Sequence, residues 1–151
     1  MPTITPFLCF DTHAEEAATL YTSIFPHSKI LSVSRVQGRV MSVQFELEGQ
    51  KVTALNAGPS FTFSEATSFF VGCQTQQEID ELWSRLLADG GTPSRCGWLK
   101  DKFGLSWQIV PDALGRMLGD ADAARSSRVM NAMLKMVKLD LALLQQAYDG
   151  E

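Results

Sequence analysis

Between Val40 and Leu47 the chain alternates Met41, Val43, Phe45 and Leu47 with Ser42, Gln44 and Glu46. Successive side chains of an extended backbone point to opposite faces, so this is the pattern of a strand with one buried face. Strand-like runs flank it, Ile30 to Val36 before a turn at Gln37-Gly38, and Lys51 to Asn56 after a turn at Glu48-Gly49. Upstream, Thr3 to Phe10 holds the strand formers Ile4, Phe7, Leu8 and Phe10. Thr12-His13-Ala14-Glu15 then fits the S/T-x-x-E capping box, which predicts a helix start. Ala14, Ala17, Ala18, Tyr21, Ile24 and Phe25 follow helical spacing until Pro26 stops them. The predicted order is βαβββ.

The order then repeats. Ser68 to Cys73 is strand-like, and Thr75-Gln76-Gln77-Glu78 is a second capping box, displaced from the first by 63 residues. Ile79, Leu82, Trp83, Leu86 and Leu87 form one helical face ahead of Asp89-Gly90-Gly91. Thr92 to Cys96, Trp98 to Lys102 and Leu105 to Val110 are short candidate strands parted at Gly97 and Gly104. Recurrence of one order at one displacement is what an internal duplication leaves. The expected fold is therefore α+β: two βαβββ modules, about 1–60 and 61–111, forming paired curved mixed sheets with outer helices and a concave sheet face as a pocket.

From Asp112 the pattern changes. Helical spacing runs through Asp120 to Leu139 (Ala124, Val129, Met133, Met136, Val137) and again through Leu141 to Tyr148, so residues 112–151 are expected to form a helical extension. Its Met130, Met133 and Met136 are expected to pack on the domain or on a second copy of the chain.

Composition narrows the class. With 151 residues and 45% hydrophobic content the chain suits one globular domain with an appendage. No apolar run approaches the ~18–20 residues of a membrane-spanning helix, and the start, Met1 to Pro6, lacks the basic and apolar regions of a secretion signal. A cytoplasmic location without membrane partners is expected. Thirteen basic and seventeen acidic residues, mixed along the chain, give a net charge of −4 and no basic tract, which argues against a nucleic-acid partner. Cys9, Cys73 and Cys96 lie far apart without a CxxC pair.

The stretch Cys96-Gly97-Trp98-Leu99-Lys100-Asp101-Lys102-Phe103-Gly104-Leu105-Ser106-Trp107-Gln108-Ile109-Val110-Pro111 resembles the PhnB-like family, as do Thr5-Pro6-Phe7-Leu8-Cys9-Phe10-Asp11 through Ala17 and Leu55-Asn56-Ala57-Gly58-Pro59. That family is also called the 3-demethylubiquinone-9 3-methyltransferase domain. It is part of the vicinal-oxygen-chelate superfamily of glyoxalases, bleomycin-resistance proteins and dioxygenases. The resemblance is read as covering nearly the whole chain, including Arg128-Val129-Met130 and Ala147-Tyr148.

The resemblance implies homodimerisation and a small-molecule site on the sheets. In metal-dependent members of the superfamily, His, Glu or Gln from the first and last strands of each half hold a divalent ion. Matching puts Gln108 at the usual glutamate position, with Asn56 near the end of the fourth strand, Ser68 opening the fifth, and Ile4 or Pro6 in the first. This near-neutral set, without imidazole, gives little to offset dehydration of a divalent ion, so no metal ligand is assigned. Asn56, Ser68, Ser106 and Gln108 are the pocket candidates, Ser106 because strand parity puts it on the face of Gln108 with Trp107 behind. No catalytic residue is assigned. The family label implies methyl transfer from S-adenosylmethionine, although no G-x-G-x-x-G loop follows a strand. The superfamily implies a metal-dependent lyase or dioxygenase. The residues favour ligand binding without a metal. Lys100-Asp101-Lys102 reads as a solvated turn, and Cys96, beside Arg95 and Lys100, lacks a nearby histidine for nucleophilic chemistry.

Overall fold

Gln37 and Gly38 adopt φ of 52° and 78°, and Glu48 and Gly49 adopt 46° and 86°. Two consecutive left-handed residues make the hairpin turn whose twist matches its strands, so both dipeptides fold the first half into a meander. In this computed structural model, which describes residues 1–151, the chain forms two compact units, Met1–Thr62 and Phe63–Glu151.

The first unit runs β1 (Phe7–Phe10), α1 (Ala14–Ile24), β2 (Ser28–Val36), β3 (Arg39–Leu47) and β4 (Gln50–Asn56). Its sheet order is β1-β4-β3-β2, with β1 parallel to β4 and the other pairs antiparallel. Leu8, Phe10, Val43, Phe45, Val52 and Ala54 are buried with Ala14, Ala17, Ala18, Tyr21 and Ile24 of α1. At roughly 1.5–3 kcal/mol for each large side chain, this layer accounts for the helix packing on the sheet.

Three details differ from the sequence reading. β1 starts at Phe7 rather than Thr3, and Ile4 is 95% exposed. Pro6 has no N–H to give a ladder; only its carbonyl takes part, accepting from Thr53 N at 3.0 Å. In β3 the alternation buries Val43 and Phe45, while Met41 near the strand's start is 41% exposed. The capping box at Thr12 does not form. Helix α1 has His13 as its N-cap, without a side-chain bond from it, and the acceptor for Ala14 N is instead Asn56 Oδ1 at 2.8 Å.

The second unit continues with β5 (Ser68–Cys73), α2 (Gln76–Leu87), β6 (Thr92–Pro93), β7 (Trp98–Lys100) and β8 (Ser106–Pro111), in sheet order β5-β8-β7-β6. β5 and β8 are parallel, and the other pairs antiparallel, so the topology of the first unit recurs. Here the capping box does form, Thr75 Oγ1 accepting from Glu78 N at 3.1 Å. Ile79, Trp83 and Leu86 of α2 are buried, as are Leu99, Trp107 and Ile109 of the sheet. β6 and β7 are shorter than the alternation predicts. Cys96 and Gly97 take φ of 58° and 85°, which breaks the extended run between the two strands.

The extension holds three helices, α3 (Asp112–Leu118), α4 (Ala123–Met133) and α5 (Leu141–Asp149). α3 lies within the expected helical extension, although its seven residues, Gly115 among them, are too few to show a period of their own. The helical pattern expected through Leu139 stops at Met133. The residues beyond pass along the second unit, where Cys96 N donates to Met136 O at 2.9 Å and Gly97 N to Val137 O at 2.8 Å. Val110, Leu114, Met117, Val129, Leu139 and Leu144 form a buried cluster joined by Met133 and Met136; Met130 remains 40% exposed. No helix is long and apolar enough to cross a membrane.

Candidate functional site

Three of the four predicted pocket residues come together on the second sheet. Residues in register share a face, so Ser68 and Ser106 lie side by side, and Phe70 lies beside Gln108. The amide of Gln108 crosses diagonally between them, its Nε2 donating to Ser68 Oγ at 3.0 Å. Behind the sheet Trp107 is buried edge-on to Phe69, with ring centroids 5.2 Å apart, as the strand parity predicts.

The β7–β8 hairpin adds residues that sequence reasoning missed. Lys100 is in register with Ser106, and Trp98 with Gln108. The face therefore carries two rows across β5, β8 and β7: Ser68, Ser106 and Lys100 in one, Phe70, Gln108 and Trp98 in the next. The hairpin pairs symmetrically about Phe103, with Gly104 in its turn, so Lys100 and Trp98 follow by counting only once the point of closure is known.

Ser106 is 1% exposed, and its Oγ has no hydrogen-bond partner. Its neighbour Lys100 directs Nζ to Glu65 Oε1 at 2.6 Å. That hydrogen bond is the main reason the exposed Glu65 carboxyl sits below the usual carboxylate range.

The register of the hairpin is set by Asp101, which is not in a solvated turn. It is 3% exposed. Its Oδ1 accepts from Phe103 N at 2.9 Å and Leu105 N at 3.1 Å, and its Oδ2 accepts from Trp107 Nε1 at 2.9 Å. One carboxylate thus closes the turn and orients the indole behind Ser106 and Gln108. A carboxylate that accepts hydrogen bonds at both oxygens tolerates this burial.

Asn56 lies in the first unit and does not join this face. It belongs to the helix-covered side with Val52 and Ala54, where Oδ1 caps Ala14 N and Nδ2 donates to Val40 O at 3.1 Å. Register shows which residue of the first unit corresponds to Gln108. Gln108 pairs with Phe70, the third residue of the sequence Ser68 to Val71 that repeats Thr5 to Leu8, and Phe7, third in that earlier run, pairs with Thr53. Thr53 is the counterpart.

The donor set does not fit a divalent metal. No three His, Cys, Asp or Glu side chains group to hold an ion, and the Gln108 face carries an ammonium, Lys100. His13 and His27 lie in the first unit, each within 3.1 Å of a carboxylate, Glu16 and Glu48 respectively. Cys73 is buried, and burial, with Glu78 and Asp112 nearby, pushes its thiol up to about 11. It is no nucleophile at neutral pH.

Two units of order βαβββ, each with a mixed four-stranded sheet of the same strand order, define the vicinal-oxygen-chelate fold. The chain belongs to the family described as 3-demethylubiquinone-9 3-methyltransferase, whose model matches residues 2–110. It is similar to the PhnB protein from Bacillus cereus, which carries the same methyltransferase description, with 36% identity and a TM-score of 0.68 over 73% of this chain and 99% of that one. The fold alone is shared with protein PA1353 from Pseudomonas aeruginosa (16% identity, TM-score 0.59, 74% of this chain and 100% of that chain). It is shared also with the fosfomycin resistance protein FosX from Listeria monocytogenes, solved with Mn(II) and sulfate (17%, 0.54, 72% and 89%). No curated protein matches the chain. The family match stops at residue 110, so Arg128-Val129-Met130 and Ala147-Tyr148 fall outside it, against the broader coverage expected from sequence.

Proposed function

We propose that the chain binds a small organic molecule on the Ser68, Ser106 and Gln108 face of its second sheet, and that it does so without a divalent metal. The observation that carries this reading is Ser106 Oγ, buried without a partner on the face of Gln108. An unmet buried hydroxyl costs about 1–3 kcal/mol, a deficit that a polar ligand atom offsets. Lys100 argues against a metal ion here, because it adds an ammonium to the face and occupies the nearby Glu65 carboxylate.

Soaking crystals with a fragment set, for wild type and Gln108→Ala, tests the reading. Density over Gln108 in wild type, and its loss in a Gln108→Ala protein of unchanged melting temperature, is the expected result. Fragments bound only elsewhere count against it. Protein purified without chelator is expected to hold far less than one equivalent of Mn, Ni, Zn or Fe; stoichiometric metal removes the metal-free reading.

Family membership supplies a second reading, methyl transfer from S-adenosylmethionine. Its sulfonium is a cation, which Lys100 also opposes. Titration with S-adenosylmethionine is expected to give neither heat nor thermal shift, and saturable binding reinstates the methyltransferase.

A further inference from the structure

We propose that the occupant of this face is a planar aromatic ring bearing a carboxylate, an inference that rests on the binding reading above. It comes from the different chemistry of the two register rows.

The row of Ser68, Ser106 and Lys100 is made of donors. Ser106 has no partner, and Ser68 Oγ is an acceptor in its bond with Gln108, which leaves its own proton out of that bond. Hydroxyls donate to any oxygen; the ammonium at the end of the row selects a charged one. A phenol, with a pKa of about 10, is uncharged at neutral pH, whereas a carboxylate is ionised. A carboxylate also offers two acceptor oxygens. Neighbouring strands lie roughly 4.8 Å apart, so Ser106 and either flanking donor are spaced to engage both. The present partner of Lys100 is Glu65, whose side chain is 64% exposed. Such a pair contributes little, so a ligand carboxylate takes the ammonium from Glu65 at small cost.

The row of Phe70, Gln108 and Trp98 puts an aromatic side chain on each side of an amide. Phe70 is 62% exposed although it lies inside a strand. A flat ring over Gln108 meets an aromatic partner at both edges of the row, where stacked or edge-to-face contacts add to simple area burial. The two rows are consecutive on the same face, so one molecule with its carboxylate beside its ring reaches both.

Calorimetric titration of the full chain with 1-naphthoate, its neutral analogue 1-naphthalenemethanol and the non-aromatic cyclohexanecarboxylate tests this. Naphthoate is expected to bind more tightly than either comparison compound by about tenfold, the scale of one charge-assisted hydrogen bond. Lys100→Met is expected to bring naphthoate down to the affinity of the alcohol, Ser106→Ala to weaken naphthoate, and Glu65→Gln to strengthen it by a few-fold, all at unchanged melting temperature. Equal affinity for acid and alcohol, a preference that survives Lys100→Met, or no heat from naphthoate at millimolar concentration overturns the proposal. If the alcohol binds as well as the acid and loses affinity in Gln108→Ala, the face is a binding site for another ligand class. If naphthoate binds equally to wild type, Gln108→Ala and Lys100→Met, it sits elsewhere, and the site itself falls.

Discussion

At the scale of single residues, acidic groups in turns divide by burial. Asp101, between Lys100 and Lys102, looks like a surface position in the sequence, because charged neighbours give no hint that its carboxylate is turned inward. The structure buries it under three donors. Asp101→Asn keeps the size but turns one oxygen into an amide donor facing another donor, either the Trp107 indole or the turn's backbone. We expect a loss of about 2–4 kcal/mol in urea unfolding, the scale of buried donors without acceptors, while Lys102→Ala changes stability by less than about 0.5 kcal/mol. The cysteines make a second case. Burial raises the Cys73 thiol to about 11, so the unfolded chain, with a thiol near 8.5, loses its proton first. Stability from this group is full below about pH 8.5 and declines as pH rises toward 11. At pH 8, iodoacetamide is expected to leave Cys73 unmodified in the native protein and to modify it in urea, as peptide mass analysis reads directly.

At the scale of elements, strand parity and turn chemistry were legible, and long-range partners were not. Alternation put Ser106 and Gln108 on one face with Trp107 behind. The placement of Lys100 opposite Ser106 was hidden, because it depends on where the β7–β8 turn closes, which the buried Asp101 determines. The two capping boxes have the same pattern and different outcomes. Thr75 caps α2, whereas α1 is capped from 42 positions away by Asn56 at the end of β4. β4 pairs with β1, register Phe10 to Asn56, which brings that amide to the helix start. Local sequence cannot encode such a pairing. Asn56→Ala is therefore expected to cost about 1–2 kcal/mol, the range for a lost N-cap, with a further contribution from the Val40 carbonyl. Thr12→Ala stays within about 0.5 kcal/mol of wild type. Chemical denaturation of the two variants checks the order, and the reverse order restores Thr12 as the cap.

At the scale of the whole molecule, residues 111–151 lie beyond the family match, yet the second unit uses them. Gln76, at the start of α2, donates to Leu139 O at 3.0 Å and accepts from Leu141 N at 2.7 Å, so one amide holds the connection between α4 and α5. Gly97 fixes the same passage from the other side. A Cβ there meets Ile109 O at 2.8 Å and Leu139 Cδ1 at 2.9 Å, and its φ of 85° suits glycine. Beside Gln76, Lys138 Nζ lies 2.8 Å from Asp80 Oδ1, and that bond, followed by the one from Gln76, holds the exposed Asp80 carboxyl below its ordinary range. A depressed folded-state pKa stabilises the fold above the unfolded value, near 3.9, and the contribution is lost as pH falls through the folded value. At the far end Asp120 behaves alike, lowered chiefly by the hydroxyl of Tyr148 at 2.5 Å. Acid, which protonates Asp80 and Asp120 at two contacts that hold the extension, is thus expected to loosen it before β5 and β8. Amide hydrogen exchange is the measurement, corrected for its intrinsic pH dependence. Between pH 6 and pH 3, protection of residues 123–149 should fall more than protection of β5 and β8. Gln76→Ala should lower protection of the extension already at pH 6, leaving β5 and β8 protected. Loss of protection in step across β5, β8 and α5 in both experiments would instead make sheet and extension a single cooperative unit, with the terminal helices as much a part of the second half as its strands.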